Sequence, residues 1–266
     1  MRLTDRQYPN RRGSWLAAAL AIWFALSIGS PAHARECAFE PADPAAHLTG
    51  LDAYGNPLDG EGVATNLVDL QIADIDAADA LTARKRPAYR VLAEAQPDRW
   101  GRYPVHATLP DGRAFSHVLV DEGLARVDPG MRTHMCERKL LEREAVARAA
   151  RRGIWADPAN RPLSAHQPEA LAARLGDAVI VKGRVVSVGE RRRNTYLDFS
   201  RRWHGGFTVV VPRDLWQELV AHGIDADFLT GRRIRVRGVL KDLRGPAIEL
   251  AIAAFIENLE TGRVPP

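Results

Sequence analysis

The sequence predicts a mostly β protein with packed helices: a small β-barrel unit followed by a second, five-stranded barrel. Three observations carry that prediction. Short apolar runs separated by turn formers, such as Asp111-Gly112 and Arg244-Gly245, recur in both halves of the chain. One sustained helical pattern, 136–149, closes the first half. The stretch ADPANRPLSAHQPE (156–169), with three prolines and no periodicity, then separates the halves. The expected organisation is a signal peptide (1–34), a first domain (35–158), a linker (159–173) and a second domain (174–262).

Residues 1–34 read as a leader. Arg2, Arg6, Arg11 and Arg12 precede the apolar run 15–28, and Ala32-His33-Ala34 offers small residues for cleavage. A single membrane anchor is the alternative, but the run is short and flanked by Gly29, Ser30 and Pro31. Export predicts a periplasmic or secreted protein. Most of the formal net charge of +4 belongs to the leader; of the remainder, 35–158 is acidic and 159–266 basic. The whole-chain charge is therefore weak support for a nucleic-acid partner, and the second half has the stronger claim. Cys37 and Cys136 are the two cysteines. An oxidising compartment permits a structural disulfide between them; two separate buried thiols is the other reading.

Taken in order, 35–60 is rich in turn formers, with a strand possible around 46–51. ATNLVDLQIADID (64–76) reads as a strand and a special turn, with Leu67, Leu70, Ile72 and Ile75 as core candidates. A partial helix over 77–92 is interrupted by Pro87. Residues 105–109 form a strand, the DGR turn (111–113) leads into a second strand, and VLVDEGLARV (118–127) suits a short helix. Thr133 is placed to cap the next helix, with Cys136, Leu140, Leu141, Ala145 and Ala149 inward. Gly153 ends it, and Ile154 and Trp155 pack back. In the second half, 176–188, 194–200 and 206–212 read as strands, 213–222 as a helix and 232–259 as two more strands. Five strands with a helix between the third and fourth is the order of an oligonucleotide-binding (OB) barrel.

The first unit resembles the staphylococcal (thermo)nuclease-like family. The residues that carry the resemblance are DRWGR (98–102), the LV-x-x-GLA-x-V stretch (119–127), the close EAVARAARRGIW from Glu144, and LQIADIDAAD (70–79) upstream. Coverage is roughly 48–158. The resemblance implies phosphodiester hydrolysis with a calcium ion held by aspartates, two arginines on the phosphate and a glutamate as general base. Carried over by position, Asp76 is the metal ligand, Asp79 stands at the glutamate, Arg102 is the second arginine with Trp100 at the tyrosine, and Gln71 occupies the first arginine. No second aspartate and threonine follow Asp59-Gly60.

These departures matter physically. Calcium takes six to eight hard oxygens. Glutamine lacks the charge and the fork of arginine, and a shorter base is displaced by about 1 Å. The reading is a weak or inactive nuclease that acts in binding. The alternatives are an active calcium-dependent phosphodiesterase, with Asp79 and Arg102 catalytic, and a structural or protein-interaction module of the cell envelope. Asp76 has a second reading as the cap of the following helix, and Arg102 as the partner of Asp98. Asp74, Asp76 and Asp79 together are a conceivable cation site.

In the second unit, Arg191, Arg192 and Arg193, then Arg201 and Arg202, lie in loops flanking a strand that carries Tyr196. Arg233, Arg235 and Arg237 share one strand face. Basic loops beside an exposed ring suit single-stranded nucleic acid or another anionic polymer; a plain solvated face explains the same residues. An envelope protein is the other possible partner.

Overall fold

The computed structural model describes residues 37–128, 135–201 and 205–260. The expected leader, Thr133 and Arg202 lie outside them. The first half opens with β1 (Gly50–Leu51) and β2 (Pro57–Leu58), an antiparallel pair, then β3 (Asn66–Leu67) and β4 (Leu70–Ile72), separated by Asp69 at φ 66°. Helix α1 (Ile75–Lys85) stops at Arg86, which is left-handed, just before Pro87. A proline cannot continue the ladder, so β5 (Ala88–Val91) begins at once and pairs antiparallel with β6 (Pro104–Thr108). β3 lies parallel on the far side of β6.

After β6 the DGR turn forms as expected: Leu109 N–H donates to Arg113 O, and Gly112 sits at φ 84°. The second strand does not follow. Only Ala114 bridges back to Thr108, and α2 (Phe115–Asp121) begins immediately. Phe115, Leu119 and Val120 are all buried, so the helical spacing prevails over the strand reading. β7 (Ala125–Val127) then pairs antiparallel with β4.

α3 (Lys139–Ala149) starts after Cys136 rather than including it, and its buried face is Leu140, Glu144 and Ala147. Ala149, expected inward, is exposed. Cys136 instead forms a disulfide with Cys37, 99 residues away, and ties the start of the domain to the approach to α3. The two motif glycines, Gly123 and Gly153, touch backbone to backbone. A Cβ on Gly123 would meet Arg152 O at 2.3 Å, and one on Gly153 would meet Gly123 O at 2.3 Å. Ile154 N–H donates to Gly123 O, which lets Trp155 pack at 3% exposure.

The stretch expected as a linker carries β8 (Leu163–Ser164), parallel to β9, and the short α4 (Pro168–Ala172). The second half continues with β9 (Ala178–Arg184), β10 (Ser187–Glu190), β11 (Asn194–Asp198), β12 (Thr208–Pro212), α5 (Arg213–Ala221), α6 (Ala226–Leu229), β13 (Arg233–Asp242), β14 (Pro246–Glu249) and β15 (Ile256–Asn258). The sheet order is β10-β11-β12-β14-β13-β9-β8, with β15 also on β13. β12 and β14 are parallel, and the other neighbours from β10 to β9 are antiparallel.

No described ladder closes into a barrel; the first half is three small sheets. In the second half the chain does the joining. Val185 N–H bonds to Arg232 O, while Val186 N–H bonds to Asp198 O, so the bend between β9 and β10 passes the strand from one ladder to the other. Buried apolar side chains from both halves, Leu48 and Phe115 to Val236 and Ile256, belong to one continuous cluster.

Candidate functional site

Two turns position Arg102. In 98–102, Asp98 Oδ1 accepts from the backbone N–H of Trp100 (2.9 Å) and Arg102 (3.0 Å). Its Oδ2 takes the guanidinium through Nε (2.8 Å) and Nη2 (2.7 Å). In 52–56, the Asp52 carboxylate accepts from Tyr54 N–H, Asn56 N–H and Asn56 Nδ2. Asn56 Oδ1 then accepts from Arg102 Nη1 and bridges the two turns. Burial works against ionising Asp98, but Arg102 and the turn N–H groups hold its carboxyl below the ordinary range. Asp52 is lowered the same way: burial opposes it, and Asn56 and the turn amides outweigh burial, with Arg102 adding to them.

Trp100 stands 64% exposed, with the Arg99 guanidinium 3.9 Å and the Arg102 guanidinium 4.7 Å from the ring centroid. Tyr54 is exposed on the other turn. Neither Arg99 nor Tyr54 was among the candidates from sequence. The signal that could have found Arg99 is its place beside Trp100 in DRWGR.

The other candidates of this unit do not converge on a cation. Asp79 is spent on the backbone: its Oδ1 accepts Leu51 N–H at 2.7 Å, which pins α1 to β1. Asp76 is exposed in the first turn of α1. It does not cap the helix; Asp74 does, accepting Ala77 N–H at 3.2 Å. Gln71 accepts from Arg126 Nε at 3.0 Å across the β4–β7 pair. Among the described residues no three His, Cys, Asp or Glu side chains form a group able to hold a metal. Calcium needs more oxygens than Asp76 can bring. The described residues do not fit that ion.

In the second unit, Arg191, Arg192 and Arg193 are exposed in the β10–β11 hairpin, whose backbone is anchored by Arg213: its N–H reaches Arg193 O and its Nη1 reaches Arg192 O. Tyr196, 36% exposed, points away from buried Leu197 and Phe199 and lies between Gly189 and Val210 in the sheet. Arg201 is exposed at the opposite end of β11, roughly 20 Å from the hairpin at strand rise. The basic loops are thus two separate poles with a ring between them.

The shared face of β13 is only partly free. Arg233 is exposed, but Arg235 pairs with Glu257 (2.7 and 2.8 Å). Arg237, expected as a nucleic-acid contact, is not open to one: it is 7% exposed and bonded to the first half of the chain. Its Nη1 donates to Glu144 Oε2 (2.9 Å) and Val127 O (3.1 Å). Glu144, at 0% exposure, also accepts from Val127 N–H (2.8 Å) and Arg148 Nη1 (2.8 Å). Burial opposes its charge, but Arg237, Arg148 and the Val127 amide together hold its carboxyl below the ordinary value. Sequence reading missed this cluster, although Glu144 stands at helical spacing from Leu140 and Ala147.

Residues 75–157 match the family model described as staphylococcal nuclease homologue. That span, from α1 to the turn after Gly153, is therefore staphylococcal-nuclease-like. It contains Asp76, Asp79 and Arg102, while Gln71 and the whole second unit fall outside it. No curated protein matches the chain.

Proposed function

We propose that the protein is an exported nuclease-like binding protein of the periplasm or exterior. Its phosphodiesterase positions serve the scaffold, and it holds single-stranded nucleic acid rather than cutting it. One observation carries this reading: Arg102 is bound by Asp98 and Asn56, and Asp79 by the Leu51 amide. In-line hydrolysis needs a free cation on the phosphate and an activated water beside it. A guanidinium and a carboxylate already committed to a turn and a strand supply neither.

Binding is supported by the second unit, where Arg191, Arg192, Arg193 and Arg201 have no ion-pair partner among the described residues and Tyr196 offers a ring between them. Phosphates would sit at the two poles and a base on the ring. The Cys37–Cys136 bond is consistent with export to an oxidising compartment.

The test uses the purified protein with single-stranded DNA and RNA, with calcium or with chelator. The expected result is intact nucleic acid under both conditions and retention on a filter that weakens with salt. Replacing Arg191, Arg192 and Arg193 by Gln is expected to flatten the slope of log K against log salt by about 2. Calcium-dependent cleavage that vanishes in Asp76→Ala and Arg102→Ala would refute the reading and restore the phosphodiesterase.

A further inference from the structure

Where β7, the turn after α3 and β9 meet, a small cavity of ≈ 20 Å³ is lined by Arg126, Arg161, Arg174, Arg237 and Trp155, and no carboxylate is among its lining residues. Two of the four guanidiniums are already neutralised: Arg237 by Glu144, and Arg174 by Asp177. The other two are not. Arg126 donates only to neutral acceptors, Gln71 Oε1 (3.0 Å) and Ala178 O (3.2 Å), and Arg161 has no side-chain partner among the described residues. The indole Nε1–H of Trp155, in a residue 3% exposed, also has no acceptor. A buried donor without an acceptor and a half-buried cation without a counter-ion are both costly.

We propose that this cavity is a binding site for a phosphate dianion. Two guanidiniums with no carboxylate in contact match its charge, and arginine forks match its oxygens. The cavity has room for about one water-sized atom. One phosphate oxygen therefore enters beside Arg126 and Trp155, and the remainder meets exposed Arg161 at the rim. Burial pushes the Arg126 guanidinium down, with Arg237 and Arg174 adding to it against Glu144 and Asp177, the strain an anion there would relieve. The site shares no residue with the basic loops of the second unit and stands independently of nucleic-acid binding there.

Titration calorimetry of the full protein with sodium phosphate, against sodium chloride at equal ionic strength, tests it. The expected result is saturable one-to-one phosphate binding, weakened ~10-fold in Arg161→Gln, an exposed change that leaves folding intact. Arg126→Gln, checked for folding by circular dichroism, is expected to weaken it at least as much. A short oligonucleotide with a 5′-phosphate that displaces phosphate, where its 5′-hydroxyl counterpart does not, identifies a nucleotide end as the source; displacement by neither identifies the free ion. Heats indistinguishable from chloride, or an Arg161→Gln protein that binds phosphate as the unaltered one does, overturn the site.

Discussion

Two arginine–carboxylate clusters in this molecule use the same bonds in different surroundings. The Asp98–Arg102 cluster joins residues four apart, lies part-exposed in one turn and reaches outward to Asn56 and Trp100. The Glu144–Arg237 cluster joins residues 93 apart, is sealed from solvent and fastens α3 to β13. The first shapes a loop; the second holds two halves of the chain together. Local pairs in water contribute little, whereas a buried charge stripped of its partner is a large liability.

That contrast sets an order of expected effects. Glu144→Gln leaves Arg237 buried without a counter-charge, while Arg148 keeps only Glu257 at 4.0 Å, and is expected to cost about 3–5 kcal/mol in urea unfolding. A loss under 1 kcal/mol would break the comparison. The same residue gives a pH signature. Its folded pKa lies below the ordinary 4.5, so between the two values the unfolded chain binds the extra proton. The stability it contributes is full above pH 4.5 and fades as pH falls through the folded value. Urea midpoints from pH 7 to pH 3 are expected to fall more steeply for the unaltered protein than for Glu144→Gln.

Removing the cross-link with Cys37→Ser and Cys136→Ser is expected to cost about 2–4 kcal/mol by freeing a loop of nearly a hundred residues in the unfolded chain. This loss should add to that of Glu144→Gln, since the disulfide and the buried pair share no partner. Arg102→Ala is expected to cost about 1 kcal/mol, seen as a small shift in thermal midpoint. A loss as large as that of Glu144→Gln would erase the distinction between the clusters. Arg113→Ala, which breaks a fully exposed pair with Asp111, is expected to leave the midpoint unmoved.

Much of the fold was legible because local signals agreed. Pro87 ended α1, Gly112 closed its turn, and α5 follows β12 as expected; the first of the five expected strands is split into β9 and β10, and β15 is added after β14. In α5, expected as a helix, Trp216 and Leu219 are buried and Leu215 packs against the core. The failures share one cause. The strand expected after DGR became α2 because Phe115, Leu119 and Val120 had a core to enter. The linker became β8 and α4 because β9 offered an edge to pair with. Of the site candidates, Arg102 pairs with Asp98 as one sequence reading had it, because the two are four residues apart, but the distant bonds could not be read. Asp79 meets an amide 28 residues away, and Arg102 meets Asn56, 46 residues away.

By itself the sequence determined many of the elements, the cysteine pair available for bridging, and the nuclease-like motifs, since turn chemistry and hydrophobic period act over a few residues. Only the tertiary structure decided which charges are free. Glu144 stood only at the start of a motif, and Arg237 on a basic strand face, until folding set them against each other. Whether a charge meets water or a partner depends on which distant segment covers it, and no local pattern encodes that.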